Sequence, residues 1–203
     1  MKIYSYLALG DSYTVGEQVK LPMSFPYQAV QQLRKKGIYF HAPEIVAATG
    51  FTTDELKAAI DETTLLPAYN IVSLLVGVNN QYRGRSAEEF RVHLRCLLEL
   101  AIKLAYGLAD HVMLLSIPDW GVTPFAIEKD REKIRSEIDL YNFICQAETE
   151  YFQTNFIDIT TEQRQDGHST RFLAADGLHP SGDEYTKWAL QLSARIQSVL
   201  EPK

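Results

Sequence analysis

Two unbroken apolar runs, NIVSLLV at residues 70–76 and HVMLLSI at residues 111–117, restrict the fold of this chain more than any other feature. Neither alternates apolar with polar residues, so a strand built from either must be covered on both faces. Three more strand-like runs share the chain: IYSYLAL (3–9), EIVAAT (44–49) and FIDI (156–159). Helical segments separate them. Residues 25–36 read as a helix closed by Gly37, and residues 129–152 place Ile134, Ile138, Tyr141, Ile144 and Cys145 at helical spacing. Three further helices open with the spacing of a capping box: Thr52 to Glu55, Ser86 to Glu89 (running to about residue 106) and Ser181 to Glu184 (running to about residue 200).

Strand and helix in alternation predict an α/β fold, a three-layer α/β/α sandwich around a five-stranded, mainly parallel sheet. No Pro/Gly/Ser-rich linker, internal repeat or low-complexity tract interrupts residues 1–203, so a single domain is expected. The 26 acidic residues outnumber the 20 basic ones, and a net charge of −6 argues against nucleic acid or an anionic membrane as the main partner. The apolar run at residues 3–9 is too short to span a membrane, and no small-residue cleavage site follows it. Read as complete, the chain is expected in the cytoplasm; one trimmed of a leader and restarted at Met would read the same. Cys96 and Cys145 are too few for a disulfide framework and are expected as buried thiols in a reducing compartment.

Ligands of parallel sheets bind at the carboxyl ends of the strands. Here those ends read Gly10-Asp11-Ser12, Thr49-Gly50, VGVNNQYRG (76–84) and IPDWG (117–121), joined by a late loop, AADGLHPSGDEY (174–185). Gly, Asp and Ser are also ordinary turn formers. As chemistry, they offer more. A serine hydroxyl becomes a nucleophile only when a base removes its proton, and the usual base is a histidine oriented by a carboxylate. Asp176 and His179, three residues apart, can meet without help from distant chain. The negative charge that develops needs hydrogen-bond donors. The N–H of Ser12, the N–H of Gly50 and the side chain of Asn79 are the candidates. Tyr82, Arg83 and Trp120 follow strand ends and are candidates for the pocket wall. His41, His93, His111 and His168 have no partner pattern and read as surface or helix-edge residues.

In these residues the sequence resembles the SGNH hydrolases, also called the GDSL family of esterases and acyl hydrolases. Gly10-Asp11-Ser12 is similar to the family's first block, with Tyr13 where the family name has leucine. Gly50 matches the second block, Gly77-Val78-Asn79-Asn80 the third, and Asp176-Gly177-Leu178-His179 the fifth. The resemblance spans residues 10–179 in the family's order. It implies a flavodoxin-like SGNH hydrolase fold, a small-molecule ester as substrate, and catalysis through an acyl-serine with neither metal nor other cofactor. Ser12 would be the nucleophile, His179 the base and Asp176 its partner. Ser12, Gly50 and Asn79 would form the oxyanion hole. Asn80 departs from the pattern, standing where the family often has Asp.

A short-chain ester, such as an acetylated carbohydrate, and a lysophospholipid both remain open as substrates. Two other function classes stand beside this reading. A metal-dependent phosphoesterase would use Asp11, Asn79, Asp176 and His179 as ligands, residue types that suit a divalent metal. A non-catalytic binding module would keep the pocket and turn nothing over.

Overall fold

The computed structural model describes residues 2–201. Its main sheet has five strands: β2 (Tyr6–Gly10), β4 (Glu44–Ala47), β5 (Ile71–Leu75), β6 (Val112–Leu115) and β7 (Asn155–Ile157). They lie in the order β4-β2-β5-β6-β7, and every pairing is parallel. Counted along the main sheet this is the flavodoxin-like order 2-1-3-4-5. All residues of β2, β5 and β6 are buried, as the unbroken apolar runs require.

Helices cover both faces. On one, α2 (Phe25–Lys35) packs on α8 (Gly182–Leu200). On the other, α3 (Thr53–Glu62) packs on α5 (Ala87–Leu104), and α5 on α6 (Arg131–Phe152). The three expected caps form: Thr52 and Glu55 make a reciprocal box, and the Ser86 and Ser181 side chains accept from the N–H groups of Glu89 and Glu184.

The structure departs from the expectation in several places, each with a local cause. The run at residues 3–9 is two strands, because Ser5 sends its N–H to the Asn70 side chain (2.9 Å) instead of the ladder. The first piece, β1 (Ile3–Tyr4), pairs with β3 (Tyr39–Phe40), a strand of two residues that carries no periodicity to read. Helices α1 (Ser12–Val15), α4 (Val78–Tyr82) and α7 (Thr160–Asp166) are likewise too short for a periodic signal. Cys145 is buried as expected, but Cys96 is exposed. The buried stripe of α5 runs through Leu94, Leu97, Leu98 and Ala101, and Cys96 lies on the opposite side of the helix. His93 and His111 also have partners: the Thr53 hydroxyl at 3.1 Å and the Asn70 carbonyl at 2.6 Å.

Leu9, Leu74 and Leu114 lie side by side across β2, β5 and β6, each with no solvent exposure. Leu74→Ala should cost about 2–5 kcal/mol, the range for a core leucine whose cavity cannot collapse. Urea titration would show it as a lower midpoint at unchanged slope. Leu140→Ala, on the exposed side of α6, should leave the midpoint nearly in place.

Candidate active site

Register brings the strand ends together. Gly10 pairs with Ala47 on one side and Leu75 on the other, so the segments after β2, β4 and β5 leave the sheet at one level. Ser12, Gly50 and Asn79 follow within a few residues. Asp11 caps α1, its Oδ1 accepting the Tyr13 N–H at 3.0 Å, and this turns Ser12 into the first helical residue. Gly77 caps α4 at φ 131°, and a Cβ there would come within 2.7 Å of Ile117 and Phe90. Only glycine fits both the backbone and the space.

The late loop supplies the other half. It folds back on itself through a bridge between Leu173 and Pro180 and a bond from the Ala174 N–H to the His179 carbonyl (2.8 Å). His179 Nε2 lies 2.9 Å from Ser12 Oγ, and Nδ1 lies 2.6 Å from Asp176 Oδ2. A carboxylate only accepts, so Nδ1 carries the hydrogen and Nε2 is left to accept from the serine hydroxyl. Asp176 Oδ1 accepts the N–H groups of Leu178 and His179, both at 3.0 Å. Burial pushes the Asp176 carboxyl upward, but the His179 ring and these two N–H groups outweigh it and hold it below the usual carboxylate range. Asp11 is the opposite case. Burial outweighs its bond from Tyr13 and raises it to about 7, and its Oδ2 has no hydrogen-bond partner among the described residues.

Three groups, on residues that line one cavity, have donor capacity to spare. The N–H groups of Ser12 and Gly50 have no acceptor among the described residues. Asn79 Nδ2 gives one hydrogen to the Phe51 carbonyl (3.0 Å) and keeps the other. Asn80, one residue on, is fully buried and turned away from the pocket. Its Oδ1 accepts the Thr53 N–H at 3.1 Å, and its Nδ2 donates to Thr53 Oγ1 at 2.8 Å. Thr53, which the sequence reading did not single out, therefore ties the start of α3 to α4.

These groups open onto a cavity of about 230 Å³. Tyr82 and Trp120 line it, together with Tyr13, Val78, Phe125 and Leu178, which the sequence analysis does not name as wall residues. Val78 and Leu178 sit inside the motifs that point to the site, so their positions were readable there. Trp120 is buried, held by a bond from its Nε1 to Gln81 Oε1 (2.8 Å), and meets Tyr82 and Phe125 edge-on at 5.4 and 6.0 Å. Arg83 does not line the cavity. Its guanidinium lies behind the Gly50 loop, on the Gly50 carbonyl and Glu55. Among the described residues no cluster of three or more His, Cys, Asp or Glu side chains is placed to hold a metal ion, and no helix is long and apolar enough to cross a membrane.

The sequence profile of the GDSL-like Lipase/Acylhydrolase family matches residues 8–187. The chain belongs to this family and is an ester-bond hydrolase. No curated protein matches it in sequence. Solved structures show the same fold at low identity. A lipase/acylhydrolase from Enterococcus faecalis superposes with a TM-score of 0.75 at 20% identity, covering 100% of this chain and 99% of its own. An acetylxylan esterase from Geobacillus stearothermophilus gives 0.75 at 19%, covering 95% and 94%. An esterase from Pseudoalteromonas gives 0.70 at 13%, covering 97% and 98%.

Adjacent asparagines should answer differently to truncation. Asn79→Ala should lower kcat by about 10²–10³ with KM nearly unchanged, as when one side-chain donor leaves an oxyanion hole. Its single half-buried bond should be worth only about 1 kcal/mol of stability. Asn80→Ala leaves the buried Thr53 N–H without its acceptor, while the Thr53 hydroxyl keeps only His93, and should cost about 1–3 kcal/mol, with activity falling only as the loop shifts. Kinetics and melting curves of the pair check both. Asp11 gives a further expectation. An acid raised in the folded state contributes stability that is present below its unfolded value and is lost as pH rises through about 7. Asp11→Asn should flatten that slope in denaturation series across the range.

Proposed function

We propose that the chain is a serine esterase with Ser12 as nucleophile, His179 as general base and Asp176 as its orienting partner, acting on esters of small acyl groups. The observation that carries this reading is the continuous hydrogen-bond chain Ser12–His179–Asp176, at 2.9 and 2.6 Å, with three unspent donors beside it.

In the first half-reaction Ser12 Oγ attacks the ester carbonyl while His179 Nε2 takes the hydroxyl proton. The imidazolium that forms lies against the Asp176 carboxylate. The carbonyl oxygen becomes an oxyanion within reach of the Ser12 N–H, the Gly50 N–H and Asn79 Nδ2. Collapse breaks the bond to the alcohol, which leaves with the proton from His179. In the second half-reaction water gives its proton to His179, attacks the acyl-serine and releases the acid, and the proton returns to Ser12.

The cavity favours a small acyl group. At about 230 Å³ it lies below the roughly 300–1,000 Å³ usual for drug-sized ligands. A lysophospholipid chain would project past its rim and leave its apolar length in water. An acetylated carbohydrate is a second reading. Tyr82 and Phe125 are 54% and 44% exposed at the mouth, which leaves ring faces for a sugar to pack on, and the similar structure from Geobacillus is an acetylxylan esterase.

Ser12→Ala should abolish turnover of aryl esters without lowering the melting temperature, and a serine-directed phosphonate should label the wild type once, at Ser12. Labelling elsewhere, or an active Ser12→Ala, would end the proposal. Across aryl esters of rising acyl length, kcat/KM should peak at short chains; a rise that continues to long chains would overturn the size argument. Asp176, held below the usual carboxylate range, should stay ionised from mildly acidic to neutral pH.

A further inference from the structure

The segment that carries the Gly50 N–H is held locally by a turn bond from the Phe51 N–H to the Ala48 carbonyl (3.2 Å) and by the Thr49 hydroxyl on Glu17, and neither reaches the Gly50 carbonyl. Gly50 sits at φ 86°, in the left-handed region, and a Cβ added there would meet only Arg83 Nη2, at 3.7 Å. Backbone geometry, not space, calls for glycine. The same residue type brings freedom: glycine visits both signs of φ, and neighbouring Thr49 is exposed. A donor on such a segment is useful only if something outside the segment fixes it.

Three side chains from α4 and the residue that caps its end reach across to it. Asn79 holds the Phe51 carbonyl at 3.0 Å, Asn80 holds both polar groups of Thr53, and Arg83 Nη2 holds the Gly50 carbonyl at 2.8 Å. Asn79 and Arg83 are four residues apart and so share one side of α4. Arg83 Nη1 also bonds Glu55 Oε1 at 3.0 Å, while Glu55 Oε2 accepts the Thr52 N–H at 2.9 Å. With the Phe51 N–H on the Ala48 carbonyl (3.2 Å) and the Thr52 carbonyl accepting from the Leu56 N–H (2.9 Å), the loop's backbone groups from the Gly50 carbonyl to the Thr53 N–H are tied, while the N–H of Gly50, a residue that lines the cavity, has no acceptor among the described residues. The exposed ion pair itself is worth little. The fork is what matters, since only a guanidinium can hold a carbonyl and a carboxylate at once in fixed geometry.

We infer that Arg83 is a positioning residue for the reaction: by holding the Gly50 carbonyl against α4 it keeps the Gly50 N–H aimed at the oxyanion. It touches neither substrate nor reacting atoms. This rests on the serine-esterase reading above.

The test compares Arg83→Ala and Arg83→Lys with wild type on a short aryl ester. A misaimed donor keeps part of its effect, so kcat of Arg83→Ala should fall about tenfold, less than the 10²–10³ of outright donor loss, with KM unchanged. Arg83→Lys reaches the carbonyl or Glu55 but not both, and its kcat should lie between. Guanidinium chloride well below denaturing concentration should restore part of the activity to Arg83→Ala and none to Asn79→Ala, a rescue that a general loss of stability would not show. A wild-type kcat in Arg83→Ala, a change confined to KM, or equal rescue of both variants would overturn the inference. Phosphonate labelling keeps the two readings apart. If Ser12 of the wild type does not label, the esterase reading has failed; if Ser12 of Arg83→Ala labels at the wild-type rate, only the role of Arg83 has.

Discussion

A parallel sheet covered on both faces leaves its polar chemistry one place to go. The side chains of β2, β5 and β6 are buried from end to end, and an unpaired serine or acid among them would cost several kcal/mol. The strand ends are different. There the backbone turns outward, side chains can meet groups from neighbouring strands, and all five ends face the same edge because every pairing is parallel. Level pairing of Gly10 with Ala47 and Leu75 then sets the Ser12, Gly50 and Asn79 segments beside one another. The packing of α8 on α2 brings the Asp176–His179 loop to the same edge from the opposite end of the sequence. The rest of the site is refinement of this one register.

Two carboxylates near Ser12 show how much their surroundings decide. Asp176 receives three hydrogen-bond donors and some solvent, so it stays ionised and can orient an imidazolium. Asp11 is buried, receives one donor at Oδ1 and leaves Oδ2 bare. Its work is local: it caps α1 and thereby fixes where the Ser12 backbone turns. Sequence distance from the serine is therefore a poor guide to partnership. The nearest acid shapes the backbone, and the acid 164 residues away, counted from Ser12 to Asp176, meets the histidine.

Strand and helix order was legible because long periodic or unbroken apolar segments have few alternatives. The motif residues were legible because Ser12, Gly50 and Asn79 follow strand ends, where a polar residue has no packing reason to be, and Asp176 and His179 share one short loop three residues apart. What escaped detection shares a physical cause. Helices α1, α4 and α7 and the β1–β3 pair are too short for any period to register. Phe125 reaches the pocket through tertiary packing on Trp120, which no spacing announces. Arg83 follows a strand end as a wall residue would, yet its side chain turns back onto the Gly50 carbonyl, and direction is not encoded in position. Cys96 was misplaced for a related reason: a helix buries a stripe, and a small apolar residue two places off the stripe faces water.

The asparagine at position 80 also sets a direction that a carboxylate would reverse. Asn80 Nδ2 can only donate, so Thr53 Oγ1 must accept from it, which leaves the threonine hydrogen free for His93 Nδ1 at 3.1 Å. His93 is thereby an acceptor at Nδ1, with its hydrogen on Nε2. An aspartate at position 80 has no hydrogen to give. The threonine hydroxyl would then donate to the carboxylate, and His93 would have to carry its hydrogen on Nδ1 to keep the contact. The same three side chains can thus be wired in two senses, each fully paired, and residue 80 selects between them. Because Asn80 is turned away from the pocket, neither sense alters the donors beside Ser12; what changes is the histidine tautomer in the α3–α5 contact. The Asn-for-Asp departure from the family pattern is, on these bonds, a change in how the loop is braced rather than in what it offers the substrate.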